Sequence, residues 1–124
     1  MLTLSTHASA TALGIAPKTL DNILVREARP FITAGQRGRR RRVTLELLEL
    51  IAIALILRRD LGVALTGGLD LARRILRSPD RTVLIGSLGS MTFDVPRLRD
   101  ALQQSINDAL EGIAEPTRGR PRAR

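Results

Sequence analysis

Lys18, Thr19 and Asn22 fall on one face of a short predicted helix, and Arg26 follows one turn later. An asparagine amide can pair bidentately with adenine, and a lysine ammonium can reach guanine or a phosphate. A dense run of guanidinium groups comes next: Arg37, Arg39, Arg40, Arg41 and Arg42. Such groups suit phosphate contacts and insertion into a narrow minor groove. Because side chains alternate along a strand, Arg39 and Arg41 share one face, and Arg40 and Arg42 the other. Covalent or acid–base chemistry finds no comparable grouping. The chain has no cysteine and one histidine, His7, while Asp80 and Asp94 sit where a turn and a helix cap are expected. With no nucleophile–base spacing and no glycine-rich phosphate cradle, no enzyme, metal or cofactor is expected.

The charge distribution points the same way. Of the 124 residues, 20 are Lys or Arg and 12 are Asp or Glu, giving +8, and Lys18 is the one cation that is not arginine. Residues 26–42 hold seven arginines and one glutamate, and residues 116–124 hold four arginines and no acid, so the remainder is −2. Two basic appendages on a slightly acidic body fit a polyanionic partner better than a uniformly basic surface would. Aromatic residues are 2% of the chain, Phe31 and Phe93, too few for the base-stacking platforms of single-strand binders. The most apolar run, Leu50 to Leu57, is eight residues, against roughly 20 for a membrane span. Residues 1–12 lack an early positive charge and a long apolar stretch, so no secretory signal is expected. A cytoplasmic, nucleoid-associated protein is the expectation.

These side chains need elements to hold them. A short Ala-rich helix is predicted over Ser5–Leu13, capped by Ser5 or Thr6 and stopped by Gly14. Pro17 opens a second helix running to about Arg26, with Leu20, Ile23 and Leu24 as its apolar face. Pro30–Thr33 and Arg39–Thr44 read as strands around Gly35-Gln36-Arg37-Gly38. Thr44 caps a strong helix over Leu45–Arg59, ended by Gly62. Thr66 is the expected cap of a helix over Gly67–Arg77. Arg81–Ile85 and Ser90–Phe93 form a second hairpin, and Asp94 caps a helix from Val95 to about Ile113. Leu98, Leu102, Ile106, Ala109 and Ile113 line one side of that helix. The stripe is suited either to pairing two copies of the chain or to folding back onto its own core.

The segment from Ala10 to Ile23 has helix-turn-helix spacing: small Ala10 at the crossing, Gly14 at the turn, Leu20 and Ile23 as anchors. With the arginine run and the following helices it resembles the MerR-type winged helix-turn-helix family over about Ser5–Arg77. Lys18-Thr19-Leu20 stands where that family carries its recognition-helix Arg/Lys-Thr-Leu, and Arg42-Val43 stands at its wing arginine. Leu61-Gly62-Val63-Ala64-Leu65 is similar to its inter-helix turn. Asp21-Asn22 replaces the family's aromatic pair, and the hairpin before the final helix is not part of the usual head. The family often adds an effector domain or a metal-binding cysteine loop. Neither occurs here, so no small-molecule effector is expected. Residues 117–122, with Arg118, Gly119, Arg120, Pro121 and Arg122, resemble an AT-hook, in which glycine admits the backbone to the groove floor and flanking arginines enter it.

The resulting expectation is a mainly α protein with small β-hairpins. A winged helix-turn-helix head occupies 1–77, a hairpin and amphipathic helix 78–114, and a disordered basic tail 115–124. Its expected partner is double-stranded DNA, read by a sequence-specific regulator. A DNA-handling accessory protein of a phage or mobile element (an excisionase or packaging adaptor) is the first alternative. A basic scaffold module for protein or RNA is the second.

Overall fold

The computed structural model describes residues 3–28, 42–87 and 89–114, apart from the side chains at 85, 113 and 114. The elements in order are β1 (Thr3–Ser5), α1 (Thr6–Leu13), α2 (Pro17–Arg26), β2 (Arg42–Thr44), α3 (Leu45–Leu61), α4 (Leu65–Arg77), β3 (Thr82–Ile85), β4 (Gly89–Thr92) and α5 (Val95–Ala114). The protein is mainly helical, with two small antiparallel sheets, β1–β2 and β3–β4.

α3 explains the arrangement. Leu47, Leu48, Ile51, Ala52, Ile53, Ala54 and Leu57 are all buried, and with the buried Glu49 they are spread around the circumference rather than along one stripe. A helix apolar on all sides must be enclosed. One side of α3 joins Leu4, Leu20, Leu24 and Val43 in a first cluster. Its other side, with Ile53 and Leu57, meets Ala72 and Ile75 of α4, Val83 of β3 and Val95 of α5. Thr44 caps α3 by accepting from the Leu47 amide at 3.1 Å, and Gly62 closes it in the left-handed region at φ 72°.

α4 begins two residues earlier than the sequence suggests. Ala64, not Thr66, is its N-cap, and it offers no side-chain hydrogen bond. Burial of Leu65 and close packing on α3 replace the missing cap. A Cβ on Gly68 would lie 3.4 Å from the Ala54 Cα, so the glycine lets the two helices approach.

The β3–β4 hairpin pairs Thr82 with Thr92 and Ile85 with Gly89. Arg81 enters it at φ 58°, a conformation strained for a residue with a Cβ. Its guanidinium donates to the Leu76 carbonyl, and its own carbonyl accepts from Phe93. Asp94 caps α5 through the Arg97 amide at 3.1 Å. Asp80 accepts from the Ser78 hydroxyl at 2.6 Å, which holds its carboxyl below the usual range. Both aspartates thus serve local backbone geometry.

The stripe on α5 has its partner inside the chain. Leu102, Ile106 and Ala109 are buried and Leu98 half-buried in the cluster that also holds Ala8, Ala10 and Ala12 of α1. Of the two uses expected for the stripe, packing within the chain is the one described for Leu98, Leu102, Ile106 and Ala109, whose face α1 covers. The Ile113 side chain lies outside the described set. For the same reason a boundary at residue 77 separates no two cores. Arg99 fastens α5 to α3 through both Glu49 carboxylate oxygens, at 2.9 and 3.2 Å. Glu49 is 8% exposed, and its pairing holds the Arg99 guanidinium above its ordinary pKa.

Two sets of variants probe this packing by urea denaturation. Gly67 faces open space, so Gly67→Ala raises stability by about 0.5–1 kcal/mol, whereas Gly68→Leu forces α4 away from α3 and costs about 1–3 kcal/mol. Arg99→Ala leaves a buried carboxylate without its donor and costs about 1–3 kcal/mol.

Candidate nucleic-acid interface

α1 and α2 are set at their crossing by small residues and a left-handed turn. Ser5 caps α1 by accepting from the Ala8 amide at 3.1 Å. The buried Ser9 hydroxyl donates to the Ser5 carbonyl at 2.8 Å, so no polar atom is orphaned there. Ala10 is fully buried, which lets the helices approach. Gly14 adopts φ 74°. Its amide donates to the Thr11 carbonyl and that of Ile15 to the Ala10 carbonyl, the paired closure typical of a glycine-ended helix. Pro17 then starts α2 without losing a hydrogen bond.

α2 divides cleanly. Leu20, Ile23 and Leu24 are buried, while Lys18, Thr19, Asn22 and Arg26 are exposed. The spacing 19, 22, 26 places three of these on one outward strip, with Lys18 beside it. Asp21 and Val25 are also exposed. With two cations and one acid on the helix, α2 carries little net charge. The positive excess of the chain lies instead in residues 26–42 and 116–124.

The first of these segments leaves α2 and returns at β2. Arg42 is exposed, and its guanidinium already has partners: Nε donates to the Thr3 hydroxyl at 3.2 Å and Nη2 to the Thr3 carbonyl at 3.1 Å. Thr3 belongs to β1, which pairs with β2 in the register Thr3–Thr44, Leu4–Val43 and Ser5–Arg42. Arg42 therefore acts in the structure as a tie across this sheet, a role the sequence did not suggest. The expected strand over Pro30–Thr33 and the residues Arg37, Arg39, Arg40 and Arg41 lie outside the described residues. So do Arg118, Gly119, Arg120, Pro121 and Arg122 of the tail.

Thr3 and the whole of β1 were missed because three residues are too few to display alternation. Their only signal is Leu4 between two polar neighbours. Among the described residues, no group of three or more His, Cys, Asp and Glu side chains could hold a metal ion. No helix there is long and apolar enough to cross a membrane. The chain matches no protein-family model, no curated protein and no solved structure.

The Gly14 turn sets the angle at which α2 is presented. Gly14→Ala puts a Cβ into the left-handed region and lowers stability by about 1–2 kcal/mol. Gly14→Asn, whose side chain tolerates that region, loses less; thermal unfolding of the two variants gives the order.

Proposed function

We propose that this chain binds double-stranded DNA as a sequence-specific transcriptional regulator. On this reading it resembles the MerR-type winged helix-turn-helix head. α2 lies in the major groove, with Lys18, Thr19, Asn22 and Arg26 toward the duplex. The arginine-rich segment ending at Arg42 lies along the backbone or in the adjacent minor groove. The observation that carries the reading is the division of α2, in which Leu20, Ile23 and Leu24 are buried as anchors while Lys18, Thr19, Asn22 and Arg26 are exposed. A helix with Lys18, Thr19, Asn22 and Arg26 exposed and its seat fixed by Gly14 and Ala10 is suited to reading base edges.

Charge and shape then have separate tasks. The arginines supply affinity without sequence preference, through phosphate neutralisation and counterion release. Asn22 and Lys18 supply discrimination through hydrogen bonds to base edges. The basic tail after α5 fits an A·T minor-groove contact that would add affinity. Location with the DNA in the cytoplasm goes with this proposal, and no catalytic role is included in it.

Selection from a random duplex library, followed by titration at several salt concentrations, tests the proposal. Replacing Arg39 and Arg41 with glutamine weakens binding to all duplexes alike and flattens the salt slope by about 0.9 for each lost phosphate contact. Asn22→Ala instead changes the preferred site, by about 1–3 kcal/mol at one base pair. An unchanged preferred site in Asn22→Ala would remove α2 from the major groove, and the absence of salt-sensitive duplex binding would remove the DNA reading altogether.

A further inference from the structure

A groove of about 570 Å³ opens between the α1–α2 turn, α3 and α5. Its walls are apolar: Leu13 and Ile15 from the turn, Leu55 and Ile56 from α3, and Leu98 and Ala101 from α5. Five of these six are only half-buried and Ala101 is exposed, so the described residues leave this surface uncovered. Arg58 and Arg59 stand at its edge, with Thr19 and Ser105, and no carboxylate lines it. Arg59 is engaged by Asp60 at 2.9 Å. The Arg58 side chain has no hydrogen-bond or ion-pair partner among the described residues.

We infer that this groove binds a small amphipathic carboxylate, an alkanoic acid or a compound of that shape. The carboxylate meets the Arg58 guanidinium, and the apolar body lies along the α3–α5 wall. Size and chemistry agree: small-molecule sites span about 300–1,000 Å³ and combine apolar walls with a few convergent polar groups. Arginine matches a carboxylate bidentately. The basic segments of the chain itself are poor occupants. Residues 29–41 hold five arginines and no acid, and residues 115–124 hold four arginines and one glutamate, so both are repelled by the arginine edge.

The position of the groove adds a regulatory role, which rests on the DNA-binding proposal. Gly14, Ile15 and Thr19 line it, so its occupant touches the turn that aims α2 and a side chain of the first turn of that helix. A ligand seated there changes the affinity for duplex through its differing contacts with the free and bound settings of α2.

Calorimetry with the full chain, alkanoates below their micellar concentrations and no DNA tests the site itself. Decanoate binds saturably at one site, and affinity rises by about fourfold for each methylene from hexanoate to decanoate. Decylamine binds far more weakly. Arg58→Gln, an exposed position, weakens decanoate about tenfold and leaves decanol unchanged. Ala101→Trp fills the groove and abolishes binding by all of them, with unfolding temperature confirming that the variant folds. Absence of saturable decanoate binding to the unaltered chain overturns the site. Equal affinity for decylamine, or undiminished binding to Ala101→Trp, does the same. Titration of the selected duplex with and without saturating decanoate tests the second part: a shift supports regulation, and an unchanged affinity overturns it. A chain that binds no duplex removes regulation together with the DNA reading, while the calorimetric result stands by itself.

Discussion

An α-helix with no polar side cannot lie on a surface, and α3 is close to that limit. Leu48, Ile51, Ile53, Ala54 and Leu57 are all buried, and between Leu47 and Leu57 the least covered residues are the half-buried Leu50, Leu55 and Ile56. The other described helices and strands are placed by packing around it. α4 closes one side through the Gly68–Ala54 approach, β3 and the start of α5 close an end, and the α1–α2 pair closes the rest. Among the described residues charge enters this enclosure once, at Glu49, where Arg99 supplies two hydrogen bonds from α5. The pair is only partly shielded, since Arg99 remains about half exposed. Its main effect is to fix the azimuth of α5 against α3 rather than to add much stability.

The surface proposed to read DNA follows from this enclosure. α2 contributes Leu20, Ile23 and Leu24 to the core, and three buried anchors within five residues fix both its rotation and its depth. The outward strip of Lys18, Thr19, Asn22 and Arg26 is then a geometric remainder of burial. The β1–β2 pair does the corresponding work for the arginine segment. Leu4 and Val43 face inward, and Arg42 holds Thr3 across the sheet, so the segment leaves and rejoins the body at two fixed points.

Much of this was legible in the residue pattern. The four longer helices from α2 onward, Thr44 and Asp94 as caps, and Gly14 and Gly62 as left-handed stops were set by local chemistry that acts within a few residues. What was not legible depended on distant partners. β1 is three residues long and exists only because β2, some forty residues later, pairs with it. The start of α4 was misjudged because Thr66 is a good cap in isolation, while burial of Leu65 outweighs it. The α5 stripe carried its periodicity openly, and the spacing of Leu98, Leu102, Ile106 and Ala109 held no information on which surface would meet it. The groove beside α1 was invisible for the same reason, since its walls come from three separated segments.

The contact between α1 and α5 ties the order of synthesis to the order of folding. α1 seats the helix proposed to read DNA, yet its apolar side is covered by residues about ninety positions later in the chain. During translation α1 and α2 emerge first, with Ala8 and Ala12 still open to water until α5 has left the ribosome. A nascent chain therefore carries its basic segment well before the proposed reading helix is settled, and on that proposal its early contacts with nucleic acid are electrostatic ones.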